Sequence, residues 1–538
     1  KGAQNNFFDK ISVDLNRAHG GVYGIASFST TSPGGFAGSN SYNTFRDINI
    51  KDCNVGISLS GPNNATGPAD EGNQIITSSC STYNYIGDPN VPDDIINGGA
   101  YGVSMAGQYN FTVRNCMIQN ITGTSTIGDV DGIVVSNSWG SNEISNNIIH
   151  TLRRSNTALN TAHWVSGIRF RWDNQTMSFK IFNNSISNLL SSYTGVATTT
   201  AAVLGIFFQD NTGNVTSEVY NNSVSIDGST FPNASSICLA ISSINESFQI
   251  KNNVFANYTT GQTGVAYHSC FYTNAATQYG GAGSLADYNN YYLADLTNGA
   301  IGRAITINYA TIAAWQAAMT VNPGTDANSQ VANPFFKNNS NDLHGSYQSV
   351  TLDGTGTTPP VYVTTDFDCE TRNAPHDIGC DDFTSGCVAN GGIVNPASAI
   401  ACAKDLFMMS SLGVSEDPST TYQWMVSETS GGPYSVVTGG SGATTTSYTT
   451  GKLKKGIFYY VLQATCPGGG TDFSTELMLD VKGQPDAAIT PEGPVAICKG
   501  DDVLLTASGG SNRAYQWLKK DEPIAGATDI TYTAGTKG

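Results

Sequence analysis

Short apolar runs built around paired asparagines, or around a polar residue and a cysteine, recur along the first part of the chain. The clearest run reads from Phe179 to Ile186 and encloses Asn183 and Asn184. The second position of each pair falls at Cys53, Cys80, Cys116, Asn147, Asn184, Asn222, Asn253 and Asn290. These positions are 27, 36, 31, 37, 38, 31 and 37 residues apart. A near-constant period of this length is the sequence signature of a repeat architecture.

A second phrase in each unit is a glycine followed by alternating apolar residues. It begins at Gly24, Gly56, Gly102, Gly132, Gly167 and Gly205. Both phrases have period two and are rich in Ile, Val and Phe, which predicts short strands. Asparagine suits the corner between them because it tolerates the left-handed backbone region, and its amide can bond to the equivalent asparagine one coil away. The pattern therefore predicts an all-β coil of parallel strands, with variable loops on one face.

This arrangement resembles the right-handed parallel β-helix of the pectin-lyase-like superfamily, over about residues 1–383. Between Tyr309 and Met319, apolar residues at helical spacing predict a short amphipathic helix that caps the coils. The segment from Asp326 to His344 resembles the closing segment of bacterial secreted β-helix proteins, and that from Asp366 to Phe383 resembles their terminal strand. These resemblances concern fold and carry no information on substrate.

After Phe383 the pattern changes to that of two Ig-like modules, predicted at residues 384–483 and 484–538. In the first, Trp424 lies between Cys402 and Cys466, the order found in Ig sandwiches. In the second, the equivalent pattern includes Cys498 and Trp517. The modules resemble those of large Bacteroidota surface proteins exported by type IX secretion. That resemblance implies a secreted or cell-surface location and the type IX secretion machinery as a partner. Because the chain opens inside a coil at Lys1 and stops inside the second module at Gly538, we expect it to be a fragment of a longer protein.

Composition narrows the function further. Charged residues make up 12% of the 538 residues, against roughly a quarter in an ordinary globular domain. The formal net charge of −17 argues against sequence-independent nucleic-acid binding, which requires a basic face. No apolar run reaches the length of a membrane span.

The cysteines predict two disulfides. The Ig resemblance implies a bond between Cys402 and Cys466, and hence an oxidising compartment. At the end of the coils we favour a bridge from Cys369 to Cys380. A zinc site that combines these thiols with His376 is the alternative, but its spacing matches no zinc-ribbon pattern, so we predict no metal site.

The three cysteines of the repeat, Cys53, Cys80 and Cys116, occupy one slot and should stack inside the coil. We expect them to be buried as small apolar residues. A bridge between neighbouring thiols remains open, since stacked positions lie within disulfide reach.

One stretch, residues 150–174, concentrates basic residues in a chain that is otherwise short of them. Strand alternation sends Ile168 and Phe170 to one side and Arg169 and Arg171 to the other. If the apolar set faces the core, both guanidiniums stand on the outer face, where they could bind the carboxylates of an acidic polysaccharide. The candidate carbohydrate-binding residues are His150, Arg153, Arg169, Arg171, Trp172 and Asp173.

Three other interpretations of this stretch stay open. A solvated patch of charges on a rod is the simplest. A pectate-lyase-type site would use an arginine base beside calcium-bound carboxylates, but the adjacent coils offer only Asp129, Asp131 and Asp210. A hydrolase would need a close carboxylate pair that the sequence does not identify. Separately, a loop calcium could be held by Asp88, Asp93 and Asp94.

The sequence therefore favours a non-catalytic secreted or surface-attached protein, which acts as an adhesin, stalk or filament component and binds polysaccharide or a cell-surface glycan. The alternative is a polysaccharide lyase acting on acidic polysaccharide. No catalytic residue is predicted, and calcium is the one cofactor considered. A lyase should show acidic residues converging on Arg169 or Arg171 in a groove. Self-assembly of rods is compatible with the first hypothesis.

Overall fold

The computed structural model describes most of the chain and divides it into two compact units, residues 1–386 and 387–538. Several residues named in the sequence analysis lie outside the described residues. They are the calcium-loop candidates Asp88, Asp93 and Asp94, the carbohydrate-binding candidates Trp172 and Asp173, and also Asp210 and Cys80. The described ranges are 4–15, 23–28, 40–51, 53, 55–61, 70–77, 83–86, 95–97, 100–124, 128–155, 163–171, 177–193, 198–209, 215–226, 233–242, 245–261, 265–297, 299–467, 470–483, 487–510 and 513–535.

The first unit is a parallel β-solenoid whose coils contribute one strand to each of three sheets, which we call A, B and C. Sheet A contains Phe7–Asp9, Thr44–Arg46, Gln74–Ile76, Thr112–Arg114, Gly140–Ser145, Met177–Phe182, Val215–Tyr220, Ser247–Lys251 and Leu285–Asp287. Sheet B contains Ser12–Asp14, Asn49–Lys51, Asn84–Ile86, Ile95–Asn97, Cys116–Gly123, Ile148–Arg154, Ser185–Ile186, Leu189–Ser191, Ser223–Ile226, Val254–Asn257 and Asn290–Leu293. Sheet C contains Tyr23–Phe28, Val55–Ser60, Ala100–Ala106, Val130–Ser136, Val165–Arg171, Thr198–Phe208, Ala234–Ile241, His268–Thr273, Ala300–Ala304 and the antiparallel Ile307–Tyr309. The short strands Asp70–Glu71 and Gln108–Tyr109 pair separately. The predicted all-β fold class is confirmed.

At the corner between sheets A and B, the second asparagine of each pair forms a ladder inside the solenoid. Asn184 Nδ2 donates to Asn222 Oδ1 over 2.9 Å, and Asn222 Nδ2 donates to Asn253 Oδ1 over 2.9 Å. The same oxygen of Asn222 accepts the backbone N–H of Asn184 at 3.0 Å. The predicted amide contact between coils is therefore confirmed. Strand register gives the full row as Ile48, Asn84, Cys116, Asn147, Asn184, Asn222, Asn253 and Asn289.

This row corrects two of the predicted marker positions, Cys53 and Asn290. Ile48 aligns with Asn84, and Asn84 aligns with Cys116, so Cys53 does not occupy the ladder row. At the last coil the ladder residue is Asn289, whose Oδ1 accepts from Asn253 Nδ2 at 2.9 Å, in place of Asn290. Cys53 and Cys116 are both buried, as predicted, but they do not stack in one row.

A row of glycines on sheet C allows that sheet to approach sheet B closely. A side chain at Gly132 would place its Cβ 2.6 Å from Ile149 Cγ2 and 2.6 Å from the carbonyl oxygen of Gly167. The glycine that opens each predicted phrase is therefore required by packing across the core.

The predicted capping helix spans Ile312–Ala318, with Thr311 as its N-cap. Trp315 is fully buried and covers the outermost parallel strand, where a Cβ on Gly302 would lie 2.1 Å from the Trp315 ring. The helix thus covers the apolar end of the solenoid core, of which Trp315 is a member.

The segment after the helix, which we call the closing segment (residues 333–383), packs along the corner between sheets A and B. It contains the hairpin of Phe336–Asn338 and Asp342–Gly345. Its apolar residues Phe336, Leu343, Leu352 and Ile378 cluster with Val254 and Ala256 of sheet B. The predicted terminal strand between Asp366 and Phe383 is wrong, because this part has irregular backbone that is held by side-chain contacts and scattered backbone hydrogen bonds, such as that from Gly379 N–H to Asn252 O at 2.8 Å.

The first asparagine of each pair holds the closing segment. These residues have positive φ, between 51° and 57°, which turns the carboxamide outwards while the second asparagine points in. Their Nδ2 atoms donate to backbone oxygens of the closing segment: Asn146 to Asp366 at 2.7 Å, Asn183 to Thr365 at 2.6 Å, Asn221 to Asp377 at 3.2 Å, and Asn252 to Thr357 at 2.6 Å.

The second unit begins with an Ig-like β-sandwich. One sheet contains Ile393–Asn395, Met408–Leu412 and Ser447–Thr449, and the other contains Ser398–Cys402, Leu477–Lys482, Gly456–Thr465, Thr421–Ser427, Ser435–Val436 and Thr471–Phe473. Trp424 is fully buried with Met409, Tyr448 and Leu462. The remaining strands are Ile489–Thr490, Asp502–Ala507, Leu518–Lys519, Glu522–Pro523 and Thr531–Gly535.

Both predicted disulfides are wrong. Cys466 bonds to Cys387, with a Cα–Cα distance of 5.7 Å. Cys402 ends a strand with its side chain exposed, and the buried Met409 joins Trp424 in the core. Cys369 and Cys380 both remain thiols, and the segment is instead fixed by Arg372, whose Nη2 donates to the carbonyl of Cys380 at 2.8 Å.

Candidate functional site

A buried charge cluster lies on the outer face of sheet C, where the sequence predicts a binding patch. Arg169 Nη2 donates to Asp129 Oδ2 at 2.8 Å and to Asp131 Oδ2 at 2.6 Å. Asp129 precedes strand Val130–Ser136 and Asp131 lies within it, one coil away from Arg169. The two carboxylates that the sequence places near Arg169 therefore share one nitrogen of its guanidinium.

The cluster is closed and not solvated. Alternation is as predicted, since Ile168 and Phe170 are in the core and Arg169 points the other way. However, the Arg169 side chain is 0% exposed, because Trp164 lies over it with the guanidinium carbon 5.5 Å from the ring centroid. The expectation that Arg169 is presented to solvent on the outer face is therefore wrong.

Several polar atoms of this cluster are buried and have no hydrogen-bond partner among the residues that the structure describes. They are Arg169 Nε and Nη1, Asp131 Oδ1 and Ser166 Oγ. Ser166 is the register partner of Asp131, so these atoms are neighbours on one face. A buried unpaired polar atom costs on the order of 1–3 kcal/mol, and such atoms in a native fold require an explanation.

The two carboxyl groups of the cluster have opposite pKa shifts. Burial raises the pKa of Asp131 to about 6, despite the adjacent Arg169. Burial also acts to raise the pKa of Asp129, but the charge and hydrogen bond of Arg169 outweigh it and the net shift is downwards. Asp129 Oδ1 also accepts the backbone N–H of Trp164 at 3.1 Å and lies 3.2 Å from His163 Nδ1.

An aromatic surface adjoins this cluster along sheet C, and we call it the aromatic row. Its ring contacts are Trp164 with Phe207 at 5.6 Å and Tyr267 with Tyr272 at 6.0 Å, and Arg303 places its guanidinium carbon 3.7 Å from the Tyr267 ring. Phe207 and Tyr267 are buried, whereas Trp164 and Tyr272 are half-buried. Arg169 aligns with Phe207 on the next strand of sheet C, and Tyr272 aligns with Arg303 further along the same sheet. The aromatic row therefore begins beside Arg169 and ends beside Arg303.

The other predicted site residues do not converge on Arg169. Arg171 is half-buried at the end of the same strand. His150 and Arg153 lie on sheet B, a different face of the solenoid. His150 Nδ1 lies 2.9 Å from Thr151 Oγ1, and burial lowers the pKa of this histidine. Arg153 is exposed and donates to Ser192 Oγ at 3.4 Å.

Sequence reasoning missed the aromatic row, although a signal for it exists. In Gly205 to Phe208, alternation that places Ile206 and Phe208 in the core must turn Phe207 outwards. An outward phenylalanine, three residues beyond the outward Leu204, indicates that this face is covered by other apolar groups. The apolar groups that cover this face also shield the Arg169 cluster from solvent.

Comparison with known proteins leaves function open. No protein-family model matches the chain, and no curated protein matches it. Among solved structures, the crystal structure of Dscam1 isoform 1.9, N-terminal four Ig domains, is similar at 16% sequence identity, with a TM-score of 0.16, over 31% of this chain and 44% of that chain. The chain thus spans less than half of that structure's length, and the Ig-like description rests on the strand topology given above. Among the described residues, no helix combines the length and apolar character needed to cross a bilayer.

Proposed function

We propose that this protein is a non-catalytic, secreted or surface-attached β-helix and Ig-like protein that binds a glycan through the aromatic row of sheet C. The observation that carries the proposal is the pair of half-buried rings, Trp164 and Tyr272, on the face of a rigid solenoid. Flat aromatic rings pack against the C–H faces of sugar rings, and a fixed scaffold lowers the entropy lost on binding.

The buried charge cluster supports the aromatic row from below. Arg169 is held by two carboxylates and lies under the Trp164 ring, so it fixes the orientation of that ring. Arg303 does the same for Tyr267, which stacks on Tyr272. In this proposal Arg169 acts as a positioning residue, and Arg171, half-buried at the end of the same strand, is the basic group that would contact an acidic sugar.

A location outside the cytoplasm is part of the proposal. The disulfide between Cys387 and Cys466 supports it, because such bonds persist in oxidising compartments. Export by the type IX machinery, as implied by the resemblance to Bacteroidota surface proteins, remains a proposal of the same kind.

The experiment is a glycan-array assay on the full chain, run with and without calcium, followed by titration of the best glycan. We expect Trp164→Ala and Tyr272→Ala each to weaken binding about tenfold, which corresponds to about 1.4 kcal/mol. Tyr85→Ala is the matched control, because Tyr85 is an exposed tyrosine on sheet B. Equal binding by all three variants, or no binding by the wild type, would contradict the proposal.

A further variant distinguishes acidic from neutral ligands. If the glycan is acidic, Arg171→Ala should weaken binding, and the loss should shrink as salt screens the charge. If the glycan is neutral, Arg171→Ala should bind like the wild type at every salt concentration.

A polysaccharide lyase is the second candidate, because two carboxyls with opposite pKa shifts converge on an arginine. Groups whose environments separate their pKa values are frequent in active sites. The complete burial of Arg169 argues against it. Absorbance of unsaturated products from acidic polysaccharides, lost in Asp131→Asn, would favour the lyase and overturn the non-catalytic proposal.

A further inference from the structure

A second polar cluster lies in the closing segment, far along the chain from Arg169. His344 Nε2 is 3.1 Å from Asp368 Oδ2, and Asp381 belongs to the same group. One nitrogen or oxygen atom from each of these three side chains falls within 4.8 Å of the others. The cluster joins the hairpin at His344 to two separate stretches of irregular backbone.

The one short separation in the cluster fits two ligands at a right angle on an octahedral ion. Nitrogen and oxygen ligands at about 2.0–2.2 Å from an ion lie roughly 2.8–3.1 Å apart at the right angles of an octahedral site and roughly 3.3–3.6 Å apart in a tetrahedral site. The distance of 3.1 Å between His344 Nε2 and Asp368 Oδ2 falls at the upper end of the octahedral range. An ion at the centre would replace the proton that otherwise joins the two atoms.

The surrounding contacts orient the three side chains as ligands. His344 Nδ1 is hydrogen-bonded to Asp342 Oδ1, so Nε2 is directed towards Asp368. A carboxylate on the second imidazole nitrogen is the usual partner of a metal-bound histidine. Asp381 Oδ2 accepts the backbone N–H of Gly345 at 2.7 Å, and its carboxylate is 7% exposed.

A buried oxygen atom and an excess of negative charge also favour a bound cation at this cluster. Asp368 Oδ1 is buried, and apart from the neighbouring Asp366 carboxyl it has no hydrogen-bond partner within the described part of the chain. Asp366 lies two residues before Asp368, and its own oxygens accept the backbone N–H groups of Glu370 and Asp382 at 2.7 and 3.1 Å. A bound cation would satisfy Asp368 Oδ1 and offset the charge of these carboxylates.

We propose that His344, Asp368 and Asp381 bind a divalent transition-metal ion such as Mn²⁺ or Zn²⁺. The ion links parts of the closing segment that are distant in sequence. One imidazole and two carboxylates suit these ions, whereas Ca²⁺ prefers an all-oxygen shell. The ion ties the hairpin to residues 366–368 and to residue 381. Metal binding therefore stabilises a segment that has little regular secondary structure of its own.

The test uses the full chain freed of metal and titrated with Mn²⁺, whose binding is counted by electron paramagnetic resonance. Mn²⁺ is the first probe because Zn²⁺ also prefers thiols, and Cys402 and Cys498 are exposed. We expect one Mn²⁺ per chain, and at least about tenfold weaker binding in His344→Gln and Asp381→Asn. His376→Gln is the matched control, because His376 is in the same segment but outside the cluster.

Hydrogen exchange of the wild-type protein tests the same site without any substitution, so its result does not depend on whether the variants fold. Mn²⁺ should slow amide exchange across residues 342–383 and leave the Ig-like unit unchanged. A parallel titration with Ca²⁺ should give no comparable protection. Absence of saturable Mn²⁺ binding, equal binding by His344→Gln, or unchanged exchange in the closing segment would overturn the proposal.

Discussion

The asparagine ladder between sheets A and B and the Arg169 cluster on the outer face of sheet C both bury polar side chains, but among the described residues only the ladder satisfies all of its amide groups. At the corner, each coil supplies the partner of the next, so Asn222 Nδ2 donates to Asn253 Oδ1 and to the carbonyls of Ile181 and Tyr220. On sheet C, Arg169 occurs in one coil, and two of its nitrogens have no partner among the described residues. A polar residue that recurs in every coil can therefore be buried with its hydrogen bonds made, because the next coil supplies its partner. An isolated cluster with unsatisfied atoms indicates that its residues are present for a reason other than stability.

The largest effect should come from removing Arg169, the cation that Asp129 and Asp131 share. Arg169→Met leaves Asp129 and Asp131 buried without their shared partner, so we expect the free energy of unfolding of the solenoid to fall by about 3–5 kcal/mol. Urea unfolding, followed by hydrogen exchange of solenoid amides, measures it. Arg153→Met on sheet B is the control and should change stability by less than about 0.5 kcal/mol, because Arg153 is exposed. A small effect at Arg169 would show that the cluster is already hydrated.

The ladder should tolerate loss of one member somewhat better. Asn222→Ala removes the acceptor of the Asn184 backbone N–H and the donor to two carbonyls, so we expect a loss of about 2–4 kcal/mol. Asn222→Cys should cost less, since Cys116 occupies the same row and lies 3.8 Å from Asn84 Nδ2. Urea unfolding of the two variants side by side provides the measurement. Equal costs would contradict this expectation and would mean that a sulfur atom in this row cannot replace any part of the amide.

This contrast also explains which features the sequence predicts. Asn183 and Asn184 recur at a fixed interval because every coil needs the same corner, so a single chain reveals the fold. Nothing repeats Arg169, and its burial depends on Trp164, which precedes its strand. Alternation therefore predicts the side of the sheet on which Arg169 lies, but not what covers that side.

The disulfide shows the same limit in the second unit. The order Cys402, Trp424, Cys466 matches an Ig-like pattern, yet the choice of partner depends on which strand carries each cysteine. Cys402 lies on a strand that pairs with Leu477–Lys482 at the sheet edge, and Cys387 lies before the first strand, within reach of Cys466. Spacing alone does not distinguish these two cysteines.

The pH dependence of stability should also differ between the two regions. Burial raises the folded-state pKa of Asp131 to about 6, above its unfolded value of about 3.9. The folded state therefore holds this proton more tightly, so its contribution is fully present below about pH 4 and is lost as pH rises through about 6. Asp131→Asn removes this contribution, so its destabilisation relative to wild type should be greater at low pH, by on the order of 1–3 kcal/mol.

Urea unfolding of wild type and Asp131→Asn between pH 4 and 8 checks this difference. Taking the difference between the two proteins removes most of the contribution of Asp129, whose shift is opposite. The asparagine ladder does not titrate, so the cost of Asn222→Ala should stay constant over the same range. A cost of Asp131→Asn that is independent of pH would contradict the raised pKa.

The smallest effect should arise at the outer position of the asparagine pair, which belongs to the corner but contacts the closing segment. Asn221 has φ of 51°, and its Nδ2 donates to the carbonyls of Asp377 and Gly379 at 3.2 and 3.3 Å. Asn221→Ala loses these bonds and keeps a β-carbon in the left-handed region, so we expect a cost of about 1–2 kcal/mol. Asn221→Gly should cost less, because glycine adopts positive φ freely. Hydrogen exchange should speed up in residues 357–379 for both variants, while sheet C stays protected, because the bonds that are lost hold the closing segment and not the core. If Asn221→Gly and Asn221→Ala were equally destabilising, backbone conformation would not be the reason for asparagine here, and the contacts with Asp377 and Gly379 would account for the whole effect.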